Sequence, residues 1–162
     1  MVDTRKVADR RPLRFETLGA AVEDAEMLSE AERRGALRAT GNWSLGQAIG
    51  HVAFWARAPF DGYAGIKPTP WFVRLVAWPF KGFFLNKRLP AGGSIPKVPG
   101  GTYGIEPMET DEALAQLRDA FGRLESETPL VPNLIFGKMS HADWIKLNLR
   151  HAELHFSFFH GG

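Results

Sequence analysis

The chain has 162 residues, the length of one domain, and its 44% hydrophobic and 23% charged content is that of a globular protein rather than a disordered one. It contains no cysteine, which excludes disulfides, thiolate zinc sites, iron–sulfur clusters and cysteine nucleophiles; any metal must be held by His, Asp or Glu. A formal charge of only +2 excludes a polyelectrolyte, and no nucleic-acid partner is expected.

The one basic cluster, Arg5, Lys6, Arg10, Arg11 and Arg14, is interrupted by Asp3 and Asp9 and runs into no apolar segment of leader length. No stretch approaches the roughly 20 apolar residues of a membrane span. The expectation is a cytoplasmic protein with a single helical domain over residues 1–162 and no membrane partner.

Four segments carry helical periodicity, and none reads as a strand. The first runs from Phe15 to Arg34, with Phe15, Leu18, Val22 and Ala25 on one face. The second starts at Asn42-Trp43-Ser44 and reaches Tyr63. Ser44 and Gln47 form a capping-box pattern, and Pro59 is expected to bend or shorten the last turn. Residues 65–106 then form a long crossover. In it Thr69-Pro70 predicts a short helix through Trp78, ended by Pro79, and the Pro- and Gly-rich run from Pro90 to Gly101 predicts irregular coil. The third long helix opens at Thr110-Asp111-Glu112, a hydroxyl cap followed by an acidic first turn. A fourth runs from Ser140 to Phe159 with Asp143 completing a second capping box. These elements predict an all-α four-helix bundle with a long excursion between its second and third helices.

Five histidines are present: His51, His141, His151, His155 and His160. His151 and His155 stand four apart, one turn above each other. At about 100° per residue they fall roughly 20° either side of Trp144, which predicts the centre of the apolar stripe. Two neutral imidazoles buried there need partners for their nitrogens, at a cost of about 1–3 kcal/mol for each polar group left without one, and a shared divalent metal would satisfy both. His51 falls about 120° from Leu45, at the edge of its helix's buried arc beside Trp55. By spacing alone it suits either a ligand in an open groove or a surface position. Glu153 is predicted to face solvent, so His151-Ala-Glu-Leu-His155 lacks the general base of the H-E-x-x-H metalloproteases. His141 and His160 read as surface residues.

The run Asn42-Trp43-Ser44-Leu45-Gly46-Gln47-Ala48-Ile49-Gly50-His51-Val52 resembles the second-helix signature of the DinB/YfiT-like metalloenzyme superfamily. Phe136-Gly137-Lys138-Met139-Ser140, then Trp144, His151, His155 and Phe159, resembles the closing segment of one uncharacterised branch of it. Arg14-Phe15 and Leu89-Pro90-Ala91-Gly92 extend the likeness along the chain. The resemblance implies an up-down-down-up four-helix bundle, often dimeric, with His51, His151 and His155 holding a divalent metal in an open groove. Asn133, Leu134, Leu154 and Phe158 depart from the branch's usual residues and imply a more apolar pocket.

Three imidazoles leave open positions on a metal, as catalytic sites do, and zinc, nickel and iron all accept them. The resemblance implies a thiol transferase using a low-molecular-weight thiol as cosubstrate; a small-molecule hydrolase is the competing enzyme, and a non-catalytic metal-binding or stress-associated module with a vestigial site is the alternative. Gln47 and Asn148 are candidates to orient ligands or substrate, although local bonding is the reading preferred for both. Glu26 on the first helix is a third candidate. The aromatic crossover, Trp71, Phe72, Trp78, Phe80, Phe83 and Phe84, is expected to be core or homodimer interface, with a lid over the groove or a membrane-surface patch as alternatives.

Overall fold

A computed structural model describes residues 2–63, 65–67, 69–96 and 98–162. It is mostly helical with one small two-stranded sheet: α1 (Leu18–Arg33), β1 (Leu37–Ala39), α2 (Leu45–Asp61), α3 (Trp71–Ala77), α4 (Lys81–Asn86), α5 (Thr110–Ser126), α6 (His141–Phe156) and β2 (Phe159–Gly161). The all-α expectation therefore holds in its coarse form. The core lies among the four long helices, with Leu28, Ile49, Leu117, Phe121 and Phe156 meeting inside it. Among the described residues no helix is long and apolar enough to cross a membrane.

The Ser44–Gln47 capping box forms in both directions, Gln47 N donating to Ser44 Oγ at 3.1 Å and Ser44 N to Gln47 Oε1 at 3.0 Å. Pro59 stays inside α2, in its last turn. Gly46 is where α2 meets the chain entering α5; a Cβ there would overlap the Met108 carbonyl oxygen. Only glycine allows that approach.

Several predicted boundaries move, each for a tertiary reason. The first helix begins at Leu18, capped by the Thr17 hydroxyl, rather than at Phe15. The backbone of Phe15 is held from both sides by α6: its N–H donates to Glu153 Oε1 at 2.6 Å, and its C=O accepts from Arg150 Nη2 at 2.6 Å. Arg150 and Glu153 pair at 2.8 Å and are both almost inaccessible. Glu153 is thus buried and not solvent-facing, because the Phe15 backbone N–H and the Arg150 guanidinium both meet its Oε1.

The last helix stops at Phe156, three residues early, and the absence of strands is corrected. Arg10 and Arg11 of the N-terminal arm bond the Leu154 and Phe156 carbonyls at 3.2 and 3.1 Å, satisfying orphan acceptors where the helix dipole is negative. Released from the helix, Phe159–Gly161 pairs antiparallel with Leu37–Ala39, placing Ala39 opposite Phe159 and Leu37 opposite Gly161. The predicted second capping box is half-formed: Ser140 Oγ accepts from Asp143 N, while the Asp143 carboxylate turns to Lys81 at 2.7 Å. Thr110 is the first residue of α5 and not its cap; its hydroxyl bonds Glu32.

In the crossover the helix after Pro70 ends at Ala77, and Pro79 sits in a 3-10 turn over Trp78–Phe80 that leads into a second short helix, α4. The crossover aromatics are not core. Trp71 is 75% exposed and Trp78 67%, with Phe72, Phe80 and Phe83 also exposed; Phe84 alone of the six is tucked in, against Phe136.

Candidate metal centre

His51 lies on α2 and His151 and His155 on α6, and the fold brings the three together. Their candidate ligand nitrogens all lie within 4.8 Å of one another. His151 Nε2 stands 3.2 Å from His51 Nε2 and 3.1 Å from His155 Nε2.

Burial is the reverse of the expectation. On α6 the buried side chains run from Trp144 through Asn148, Ala152, Phe156 and Leu149 to Glu153 and Arg150, an arc centred roughly 115° round from Trp144, so His151 and His155 lie toward one edge of it and are half-buried. His51, predicted at the edge, is 2% exposed. Periodicity finds the apolar arc of an isolated helix, and the direction from which α2 and α6 approach decides which part of it closes.

The tautomer of His51 follows from its partner. Nδ1 lies 2.9 Å from the Tyr103 carbonyl oxygen, which can only accept, so Nδ1 carries the proton and Nε2 presents a lone pair toward the other two rings. With that lone pair fixed, no set of neutral tautomers makes both short contacts linear hydrogen bonds. If the His151 Nε2 proton points at His51, it is unavailable to make a second linear bond to His155. If instead His155 donates to His151, the His151 and His51 lone pairs face each other at 3.2 Å. A cation removes the conflict. Two nitrogens bound tetrahedrally at about 2.0–2.1 Å stand roughly 3.3 Å apart, close to the separations found.

Burial pushes the His51 imidazole down from 6.5 to about 4, outweighing the backbone contacts of Tyr103 and Gly104 and the attraction of Glu106. Burial likewise holds His151 and His155 well below 6.5, reinforced by the neighbouring imidazoles and, for His155, by Arg10. All three are therefore neutral near pH 7, the form in which imidazole binds a metal.

A family model described as "Protein of unknown function (DUF1569)" matches residues 7–161. The chain belongs to that family. No curated protein and no solved structure is recognisably similar to it. In this DUF1569 member the matched segment holds all three histidines and every element that positions them.

Residues outside the predicted set complete the centre. Trp43 stacks on His155 with ring centroids 5.0 Å apart and planes 7° from parallel, and meets His51 edge-on at 4.9 Å. Trp55 approaches His51 from another side, backed by Tyr103. The signal for Trp43 was its place immediately before the Ser44 cap, where a side chain folds back over the first turn; nothing local marks Tyr103, which contributes its backbone. Gln47 completes its capping box and also donates from Nε2 to Ile105 O at 3.0 Å, tying down the segment that carries the Tyr103 carbonyl. Asn148 bonds locally, Nδ2 to Trp144 O at 2.9 Å. Glu26 is not brought to the centre: its carboxylate is occupied by Arg118 at 2.6 Å. His141 donates to the Leu124 carbonyl, and His160 sits in β2 near Asp9.

The Tyr103 carbonyl depends on Gly104, which has φ +69° and lies against the Phe54 ring. A Cβ there would come within 2.6 Å of Phe54 Cγ, in a backbone region costly to other residues. Gly104→Ala is expected to displace Tyr103, loosen the orientation of His51 and lower metal affinity about 10- to 100-fold. Titration of the metal-free protein with zinc or cobalt checks this.

Proposed function

We propose that this DUF1569 protein binds one divalent ion through His51, His151 and His155 and acts as a small-molecule enzyme of thiol-transferase or hydrolase type. The observation that supports it best is the convergence of three neutral imidazole nitrogens whose two short contacts cannot both be linear hydrogen bonds. When bound, zinc, nickel or iron would supply Lewis acidity at the positions three ligands leave open.

The chain's own groups would do the rest. Tyr103 O fixes the proton of His51 on Nδ1. Trp43 and Trp55 present an apolar wall to a substrate and limit water around the nitrogens. The likeness to DinB/YfiT-like metalloenzymes favours the transferase, with a low-molecular-weight thiol as cosubstrate. The same reading takes residues 1–162 as one cytoplasmic domain whose long helices form an up-down-down-up bundle, compatible with a homodimer.

Protein purified without a polyhistidine tag is expected to carry close to one zinc, nickel or iron per chain by elemental analysis. It should turn over a thiol with an electrophile, or a small ester or amide, in a metal-dependent way. A metal-free preparation that also fails to take up these ions would overturn the proposal. Stoichiometric metal with no turnover across both screens would replace the enzyme by a non-catalytic metal-binding module.

A further inference from the structure

The crossover distributes charge and apolar surface in a way the metal centre does not use. Between Asp61 and Glu106 there is no carboxylate, while Lys67, Arg74, Lys81, Lys87, Arg88 and Lys97 all fall there; in the remainder of the chain carboxylates outnumber lysines and arginines. Lys81 is paired with Asp143. Lys67, Arg74, Lys87 and Arg88 are exposed and make no ion pair among the described residues.

The large apolar side chains left in solvent gather in the same place. Eight of the thirteen in the described residues lie between Trp71 and Phe83. α3 buries none of its seven residues; Leu75 and Val76 are 66% and 67% exposed, flanked by Trp71 and Trp78. Exposed apolar surface gathered in this way marks an interaction site. Phe83 of the same segment also lines a cleft of about 280 Å³ with Arg10 and Arg88, two guanidinium groups with no carboxylate partner there.

We propose that α3, the turn after it and α4 dock on an anionic lipid bilayer. A short helix with apolar side chains exposed, tryptophans at both ends and unpaired cations beside it fits the boundary between headgroups and acyl chains, where the indole rings settle and the cations meet lipid phosphate. Charge decides between this and a second copy of the chain. Two copies joined through this face would bring together like charges that have no ion-pair partner, Arg74, Lys87 and Arg88 of each, whereas an anionic bilayer complements them. The inference is independent of the metal and its chemistry.

Flotation with vesicles of phosphatidylcholine alone and of phosphatidylcholine mixed with phosphatidylglycerol tests it on the full chain. The protein should float with the mixed vesicles at low salt and stay behind with the neutral ones. Arg74→Gln with Lys87→Gln should weaken binding about 25-fold, from about fivefold per cation. Trp71→Ser with Trp78→Ser, two side chains lying mostly in solvent, should abolish flotation while leaving the circular dichroism unchanged. Absence of flotation with anionic vesicles overturns the proposal. So does a lipid-free dimer in sedimentation that the two tryptophan substitutions dissociate, which would assign the face to a second copy.

Discussion

Replacing His155 by leucine is expected to lower affinity for zinc or cobalt by more than about a hundredfold, beyond the loss of any outer-shell partner, and to leave the helical signal intact. Leucine is close in volume, His155 is half-buried at the flank of the core, and the ring face it loses is the one packed on Trp43. Removing the imidazole also relieves the 3.1 Å nitrogen contact with His151, so the metal-free variant should be at least as stable as the metal-free parent. His51→Leu should abolish metal binding equally but cost stability, because it leaves the Tyr103 carbonyl without its donor. Metal titration beside urea unfolding separates the two effects. Complete unfolding of the leucine variant at position 155 would show the metal to be part of the fold rather than a guest of it.

Glu153→Ala is expected to be the more destructive change for stability, by about 3–5 kcal/mol, the range for breaking a buried ion pair from one side. It strands the Arg150 guanidinium, 3% exposed, and removes the acceptor of the Phe15 N–H. The pair already operates close to its limits: Arg150 Nε and Glu153 Oε2 have no hydrogen-bond partner, and Arg14 approaches the latter only to 3.9 Å. Arg150→Met combined with Glu153→Leu should therefore be milder than Glu153→Ala alone, since neither charge is then left uncompensated. Urea unfolding curves with unchanged slope are the measurement. A loss below about 1 kcal/mol for Glu153→Ala would show that water or Arg14 replaces the missing partner.

Much of the centre was legible before any coordinates. Residues four apart on a helix share a face whatever surrounds them, so His151 and His155 were necessarily neighbours. The same local logic made the Ser44–Gln47 box readable, since both of its bonds close within one turn. Assigning His51 to the pair needed more than spacing; the resemblance of its helix signature named it, and the structure brings it within reach of the other two. Glu26 shows the limit of helical spacing, because its place on the first helix says nothing about which cation stands opposite, and here Arg118 does.

What the chain's local chemistry determined by itself was the set of long helices, the i,i+4 histidine pair and the cap ahead of His51, all governed by residues within four positions of each other. The tertiary structure alone decided which histidine is sealed and which two stay at the rim, that Glu153 turns inward to meet Phe15 and Arg150, that the chain after Phe156 leaves the helix to pair with β1, and that the aromatic crossover remains in solvent. Each of those outcomes depends on a partner from a distant part of the chain, and helical periodicity carries no information about where such a partner approaches.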